Sequence, residues 1–449
     1  MSKDIRIPKG LTIKLKGTAE KILSDLPRSE VYTISPTEFH GITPKLLVKI
    51  GDVVKAGDLL FYSKTNELVK FASPVSGTIL DITRGEKRRI LEIKISADSS
   101  DSYKDFGSKD PLKMSREEIV SYLSEAGCFP FFIQRPYDVI VDPNDTPKSI
   151  FISSFSTAPL AAQDAYALAG QEQAFQTGLN ALTKLTSGKV NLTVCGTENS
   201  FFDKLDQVEI YRIFGKHPAG NVGVQMNHID PINKGEKVWT IKPQDVACIG
   251  RLFTTGKYDA TRVFALAGSE VEKPQYYKAI QGASLEKLLN SQVKNTNTRM
   301  ISGDVLSGKK MGKESSLGFY TNLISVIPEG NYYTFFGWMP FTQNQKLSLS
   351  RTFFNFLMPH KEYNLDTNLN GEERALVITG EMEQVFPMDI FPMQLLKAAL
   401  AGDIDKMENL GIYEVAPEDF GLIDFSNTSK LEAQEIIREA LDIMIKEVG

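Results

Sequence analysis

Histidine and cysteine are the side chains best suited to bind transition metals or to act as nucleophiles, and this chain has few of either. Its four histidines are His40, His217, His228 and His360. None of them forms the H-x-x-x-H pair of a helical zinc site. Its three cysteines, Cys128, Cys195 and Cys248, include no C-x-x-C pair. The sequence therefore excludes a cysteine-ligated iron–sulfur cluster and a structural zinc cluster built within the chain.

One segment combines histidine, proline and glycine in a pattern that predicts an unusual backbone path. It runs from His217 to Gln225 with the sequence HPAGNVGVQ. Glycine permits, and proline fixes, backbone angles that other residues avoid. One interpretation is a loop that binds a quinone or a partner protein; the other is a structural loop around a hydrogen-bonded histidine. The candidate site residues are His217, Pro218, Gly220, Asn221, Gly223 and His228.

The segment Gly303–Lys310 nearly matches a phosphate-binding loop. Its sequence, GDVLSGKK, has Lys310 in the place of the Ser or Thr that would hold magnesium. A phosphate loop also requires a helix directly after it, and Met311-Gly312-Lys313 does not continue as one. We therefore favour a glycine-containing β-turn. Since no nucleophile elbow and no G-x-G-x-x-G pattern occurs either, we assign no catalytic, cofactor-binding or metal-binding residue.

The composition is that of an ordinary globular protein. The chain has 449 residues, of which 42% are hydrophobic and 24% charged, and a net charge of -5. That charge does not indicate a nucleic-acid-binding protein. The most apolar segment, 150–170, contains several polar residues and Asp164, so we expect no transmembrane segment. The N-terminal residues alternate charged and apolar types, which does not predict a signal peptide.

Residues 1–100 have the sequence pattern of a small β domain. Two Gly-Asp pairs, at Gly51 and Gly57, mark two turns, and the string SPVSG follows at residues 73–77. This pattern resembles the biotinyl/lipoyl barrel-sandwich domain. In carrier domains of that type a lysine at a hairpin tip is modified, and Lys64 is the nearest candidate. We favour an unmodified surface lysine over a swinging-arm attachment site.

Residues 113–256 alternate strand and helix patterns. We predict strands at 148–154, 190–194 and 208–214, a helix capped by Ser115 that ends at Gly127, and a helix over 161–185. This order indicates a Rossmann-like α/β domain.

Residues 257–330 and 331–449 form the predicted third and fourth domains. The strand at 263–268, the G-x-V-x-x-P-x-Y pattern after it and the helix near 284–289 resemble the soluble-ligand-binding β-grasp (SLBB) domain. The last domain is predicted to be mostly helical, with helices at 393–400, 404–410 and 431–448. Its aromatic stretch, 332–338, could face a membrane or a partner, and we favour a place in the core.

Several strings, taken in order, resemble the A-subunit family of the sodium-translocating NADH:quinone oxidoreductases (Na+-NQR). The strings lie at residues 45–52, 73–77, 84–88, 217–225, 228–236, 250–253, 336–338, 366–375 and 387–392. This family is related to the C-subunit of the Rnf complex and to the flavin-binding subunit of complex I. The resemblance covers nearly all of the chain.

The resemblance also shows what this chain has lost. The relatives carry a glycine-rich flavin loop, whose place here is residues 123–130, where Phe129 cannot approach a phosphate as glycine does. The place of the relatives' second flavin-binding segment is residues 153–159 here, where Pro159 is the main residue that matches their pattern. The family's C-terminal cysteines are absent from 424–429. We therefore expect this chain to bind no cofactor, with flavins and an iron–sulfur centre in partner subunits.

The function implied by the resemblance is that of one part of a membrane complex. The complex oxidises NADH, reduces ubiquinone or another quinone, and exports Na+. This chain would be a peripheral, non-redox subunit on the cytoplasmic face of the bacterial inner membrane. It would contact chiefly the membrane-embedded B-subunit, with quinone binding as an option, and would be inactive alone. The alternatives are a component like the C-subunit of an Rnf complex and a free-standing electron carrier with bound flavin or lipoyl.

Overall fold

The computed structural model of the chain describes residues 3–294, 297–337, 339 and 346–449. The strands are β1 Lys3–Ile7, β2 Glu20–Asp25, β3 Val31–Ile34, β4 Pro44–Leu46, β5 Val53–Val54, β6 Leu59–Ser63, β7 Asn66–Ala72, β8 Gly77–Arg84, β9 Ile90–Ala97, β10 Phe132–Arg135, β11 Val139–Ile140, β12 Ser149–Ser153, β13 Lys189–Cys195, β14 Glu209–Gly215, β15 Val238–Ile241, β16 Thr261–Ala267, β17 Gln275–Ile280, β18 Thr298–Ser302, β19 Lys309–Met311 and β20 Leu323–Pro328. The helices are α1 Arg116–Glu125, α2 Asp164–Ala167, α3 Glu172–Leu182, α4 Val222–Ile229, α5 Pro243–Thr255, α6 Glu286–Gln292, α7 Glu381–Val385, α8 Pro392–Leu400, α9 Ile404–Asn409, α10 Gly421–Ser426 and α11 Ala433–Glu447. No helix within these described ranges is long and apolar enough to cross a bilayer.

Two small antiparallel sheets form the barrel-sandwich domain predicted for the N-terminal region. Their strand orders are β3-β9-β8-β5 and β4-β6-β7. Gly51 and Gly57 both have φ of +92°, and the aspartate after each accepts a backbone hydrogen bond at 2.7 Å. These contacts confirm the two predicted turns. Lys64 is exposed at the tip between β6 and β7, where the sequence pattern had placed it.

The α/β domain is built on a seven-stranded sheet with the order β1-β14-β13-β12-β15-β10-β11. The strands from β1 to β15 in that order are parallel, and β10 and β11 run antiparallel at one edge. Alternate residues of β12 face opposite layers, since Ile150 packs with α3 and α5 while Phe151 packs with Met226 of α4. The predicted helix over 161–185 is wrong as one element. It is two helices, because Gly170 adopts a left-handed φ of +81° between them.

The β-grasp domain is a six-stranded sheet with the order β19-β18-β20-β16-β17-β2, accompanied by α6. Residues 303–308 connect β18 to β19 as a hairpin turn, which confirms the β-turn interpretation over a phosphate loop. The strands β1 and β2 belong to the α/β and β-grasp sheets, so the N-terminal 25 residues tie three domains together. The four predicted domain ranges otherwise stay predictions.

The C-terminal region carries α7 to α11, in agreement with its predicted helical character. Gly411 ends α9 with a left-handed φ of +89°, as expected of a residue that follows a helix. The preference for a core position of the aromatic stretch 332–338 is wrong. Tyr333 and Phe335 lie at the surface, and Trp338 lies outside the described residues.

Candidate functional site at the switch point of the parallel sheet

The α/β sheet has one point where its strand order reverses. The chain builds β12, β13 and β14 toward one side and then places β15 on the other side of β12. In open α/β sheets, ligands bind outside the carboxyl ends of the strands at such a point. The loop between β14 and α4, which contains His217, Pro218, Gly220 and Asn221, ends at this place. The other two predicted site residues, Gly223 and His228, lie in α4 itself.

Hydrogen bonds fix this loop to the segment that follows β12. Ser153 Oγ donates to the carbonyl oxygen of Gly220 at 3.1 Å, and Gly220 N donates to Thr157 Oγ1 at 2.9 Å. A Cβ added at Gly220 would lie 2.5 Å from Thr157 N. Glycine is therefore required here for the close approach of two backbone segments.

A buried glutamine, which the sequence analysis missed, completes this network. Gln225 Nε2 donates to Ser153 Oγ at 3.0 Å and to Ala219 O at 3.1 Å, while its Oε1 accepts from Thr193 Oγ1 at 2.6 Å. The side chain is fully buried. A polar residue between apolar Val224 and Met226 was the signal that could have identified it, because buried amides are kept when hydrogen-bonded.

His217 is buried beneath the N-terminal segment of the chain. Its Nδ1 lies 3.2 Å from Thr157 Oγ1, and its carbonyl oxygen accepts a hydrogen bond from Leu11 N at 2.9 Å. Withdrawal from water lowers the pKa of the imidazole to about 4, against a smaller opposing effect of Asp304. The ring is therefore neutral at neutral pH.

Replacing His217 with asparagine should make the free energy of unfolding fall less steeply as the pH is lowered. Between pH 6.5 and about 4 the unfolded chain protonates this histidine and the folded chain does not, so the unfolded state binds more protons. Stability therefore falls as pH falls through this window, by about 3 kcal/mol at most. Urea unfolding of both proteins across this range measures the difference. An equal pH dependence in the two proteins would show that His217 protonates freely when folded.

His228 does not join His217 in one site. It lies in the last turn of α4, exposed, with Nδ1 2.9 Å from the Val224 carbonyl oxygen. His217 precedes the first turn and His228 is the seventh residue of the helix, so about 9 Å of helix lies between them. Among the described residues no group of three or more His, Cys, Asp or Glu side chains could hold a metal ion.

A carboxylate from the C-terminal region lies against the first turn of α4. The short 3-10 turn Pro417–Phe420 covers this end of the helix, and Asn221 Nδ2 donates to Glu418 O at 3.1 Å. A Cβ added at Gly223 would overlap the Asp419 carboxylate. Asp419 is 1% exposed, and its Oδ2 accepts from Ala416 N at 3.0 Å. The positive end of the helix dipole thus faces an anion of this same chain.

Arg135, at the end of β10, balances the charge of this carboxylate. It is 2% exposed and lies 3.6 Å from Asp419 and 2.8 Å from Glu418, with Asp138 at 3.5 Å. Burial, despite the attraction of Arg135, raises the pKa of the Asp419 carboxyl above its ordinary value. The cluster joins the α/β domain to the C-terminal region through buried charges.

The segment that we expected in the place of a flavin loop lies in the hydrophobic core, together with the residues that follow it. Phe129, Phe131 and Phe132 are at most 1% exposed. The ring of Phe132 lies 5.6 Å from that of Trp239, and the ring of Phe131 lies 5.3 Å from that of Phe319. Bulky side chains therefore pack beside the backbone of this segment.

Comparison with known families gives matches along most of the chain. Residues 5–98 match the NqrA N-terminal barrel-sandwich hybrid domain, residues 114–258 the NqrA second alpha/beta domain, and residues 263–313 the NQRA C-terminal domain.

Full-length relatives share one name. A protein of Hahella chejuensis is 37% identical over 447 residues, which are 99% of this chain and 100% of that protein. A protein of Marinomonas sp. (strain MWYL1) is 34% identical over 445 residues, 98% of this chain and 99% of that protein. Both are named as the A-subunit of the Na(+)-translocating NADH-quinone reductase. Among solved structures, an NAD+-reducing [NiFe]-hydrogenase is 11% identical over 65% of this chain and 57% of that chain, with a TM-score of 0.34.

Proposed function

This chain belongs to the A-subunit family of the Na(+)-translocating NADH-quinone reductase, and we propose that it serves as a non-redox component on the cytoplasmic face of that membrane complex. The complex couples the oxidation of NADH by quinone to the movement of Na+. In that complex this chain acts as a structural subunit that binds the membrane subunits, chiefly the B-subunit. The full-length matches, all to the A-subunit, favour this function over a component like the C-subunit of an Rnf complex.

The observation that carries the non-redox proposal is the position of Asp419. Nucleotide cofactors in α/β folds place a phosphate at the N-terminus of a helix beside the switch point. Here the carboxylate of Asp419 lies against the first turn of α4, with Arg135 as its buried counter-ion. A phosphate entering this place would meet that carboxylate at close range, which is electrostatically unfavourable. We infer that the scaffold of a nucleotide-binding domain is kept here without its cofactor.

Contact with quinone or with a partner subunit stays a prediction for the loop 217–225. In the isolated chain, Pro218 and Gly220 are buried and Asn221 bonds to the C-terminal region. A ligand could reach the first turn of α4 only after residues 417–420 had moved. We therefore expect the loop to affect the complex indirectly, by setting the position of the turn 417–420.

The purified chain should show no flavin absorbance and no mass increment on Lys64, because neither a phosphate cradle nor a modified lysine is expected. Spectrophotometry and intact-mass measurement test both points. The chain should also co-purify with the other subunits from membranes of cells that express the whole complex.

Two outcomes would contradict the proposal separately. A visible flavin band, or added mass removed by Lys64→Arg, would mean that the chain is an electron or group carrier. Normal NADH:quinone reductase activity of a complex assembled without this chain would mean that the complex does not require it. Lys64→Arg is the matched control, since it keeps the charge and should leave the yield of the complex unchanged.

A further inference from the structure

The fold leaves a group of aromatic, apolar and basic side chains exposed in the C-terminal region. We call residues 332–337 and 346–361 the aromatic–basic surface. Tyr333, Phe335 and Leu357 are 103, 87 and 69% exposed, and Phe356 is 53% exposed. Single exposed apolar residues are common, but several in one patch mark an interaction site.

Hydrogen bonds hold the two segments of this surface together. Lys346 Nζ donates to the Gly337 carbonyl oxygen at 2.9 Å. Asn355 Nδ2 donates to the carbonyl oxygen of the same lysine at 2.8 Å. Tyr333 and Phe335 lie a few residues before Gly337, and Phe356 directly follows Asn355. The two segments that carry the exposed rings therefore lie next to each other.

The charge of this surface is positive. Residues 330–361 include no Asp or Glu, although a segment of that length would have about four at the average of this chain. The guanidinium of Arg351, an exposed residue, lies 5.6 Å from the centroid of the Phe356 ring. A cation beside an exposed ring can bind an anionic group while the ring enters a less polar layer.

The N-terminal segment adds two further cations. Lys16 N donates to the Tyr363 carbonyl oxygen at 3.0 Å, and Lys14 Nζ donates to the Pro359 carbonyl oxygen at 3.0 Å. Both lysines are exposed. Two carboxylates stand beside the surface, Glu362 and Asp366, and Asp366 accepts a hydrogen bond from the Tyr332 hydroxyl. The three cations Lys14, Lys16 and Arg351 still outnumber them.

We propose that the aromatic–basic surface binds the headgroup region of an anionic lipid bilayer. Aromatic side chains are favoured at the membrane–water interface, and lysine and arginine are attracted to anionic lipids. A run of this length without carboxylates matches a surface that is negative throughout, which a bilayer is and a protein partner with mixed charges is not. The inference rests on the proposed function, because a component of a membrane complex works next to such a bilayer.

Sedimentation of the full chain with vesicles tests this proposal. We expect binding to vesicles of phosphatidylglycerol and phosphatidylcholine in equal parts, less binding at high salt, and little binding to phosphatidylcholine alone. Phe335→Ser with Phe356→Ser should weaken binding by about tenfold, because apolar area is lost from the interface. Arg351→Glu with Lys16→Glu should abolish the preference for the anionic vesicles.

Matched controls come from other exposed sites on the same chain. Phe391→Ser removes a ring that is 64% exposed, and Lys113→Glu reverses a cation whose side chain is 83% exposed. Both should bind vesicles as the unchanged protein does. Circular dichroism of every variant checks that the fold is retained.

The results separate this proposal from the one on which it rests. Failure to bind anionic vesicles at low salt, or equal binding by the double variants, would overturn the bilayer contact while co-purification with the complex still stood. Protection of the aromatic–basic surface by the membrane subunits in lipid-free detergent would also overturn it, since the occupant would then be a protein. Vesicle binding by a chain that never co-purifies with the complex would instead contradict the proposed function.

Discussion

Replacing Arg135 with methionine should lower the free energy of unfolding by about 3 kcal/mol. Breaking a buried ion pair leaves an uncompensated charge, and the cost is typically about 3–5 kcal/mol. Asp419 would lose its counter-ion while 1% exposed. We expect the lower end of that range because the side chain of Glu418, the second partner, is 43% exposed and can be solvated. Denaturant unfolding followed by circular dichroism measures the change.

A second substitution makes this result specific. Adding Asp419→Asn to Arg135→Met removes the stranded carboxylate, so the double variant should recover part of the lost stability. Arg438→Met is a control, because that residue is 20% exposed and lies at the rim of the same cluster, 3.7 Å from Asp138. It should cost less than Arg135→Met because water reaches part of its side chain, although its Nη2 also donates to the Tyr137 carbonyl oxygen at 2.7 Å. Equal losses for Arg135→Met and Arg438→Met would show that burial does not govern the cluster.

Replacing Gly250 with alanine should destabilise the protein by about 2 kcal/mol. Gly250 in α5 and Gly178 in α3 allow the two helices to touch, and a Cβ at either would overlap a carbonyl oxygen of the other helix. The obstacle at Gly250 is the backbone of Ala174, which cannot rotate away as a side chain can. Overpacking typically costs about 1–3 kcal/mol, and the higher helix propensity of alanine returns only about 1 kcal/mol.

Gly312→Ala is the matched control for this prediction. A Cβ there would have as its nearest neighbour Ser315 Oγ at 3.9 Å, an ordinary contact. Its free energy of unfolding should stay within about 0.5 kcal/mol of that of the unchanged protein, the range usual for surface substitutions. Its thermal midpoint should therefore stay near that of the unchanged protein. If the Gly250→Ala protein unfolded at the same temperature as the Gly312→Ala protein, α3 and α5 would be able to move apart without loss of stability.

Local patterns were enough to predict much of the fold. The Gly-Asp pairs at Gly51 and Gly57 predicted turns, because an aspartate there can accept a hydrogen bond from the backbone a few residues before it. The strands near 148–154, 190–194 and 208–214 followed from short apolar runs, and the structure shows them within one or two residues. The long helix over 161–185 failed because one left-handed glycine, Gly170, outweighed the apolar periodicity on both sides of it.

Contacts between distant parts of the chain could not be predicted in this way. Nothing in the sequence near Gly223 shows that its neighbour is Asp419, almost two hundred residues later. Residues 3–7 and 20–25 were expected to belong to the first domain, yet they form β1 and β2, whose partners are β14 and β17. The backbone hydrogen bonds at a strand edge do not identify the partner strand. The packing of the whole molecule therefore determines which strands pair.

The candidate loop shows the same division. Its proline and glycines predicted an unusual backbone. The structure gives a reason for two of these residues, since Gly220 lies close to Thr157 and Gly223 lies close to Asp419. The sequence did not show that the loop would be covered by the turn 417–420. It also did not reveal Gln225, whose importance comes from three hydrogen bonds to residues far apart in the chain.

The sequence by itself determined the family of this protein, the type of each domain and the absence of cysteine ligands for a cluster. These properties reside in residue identities and short spacings, which are local. Only the tertiary structure decided that Asp419 would face the start of α4 and that the rings at 333 and 335 would remain at the surface. The reason is physical: burial and charge balance depend on which distant segments come together, and many local sequences are compatible with either outcome.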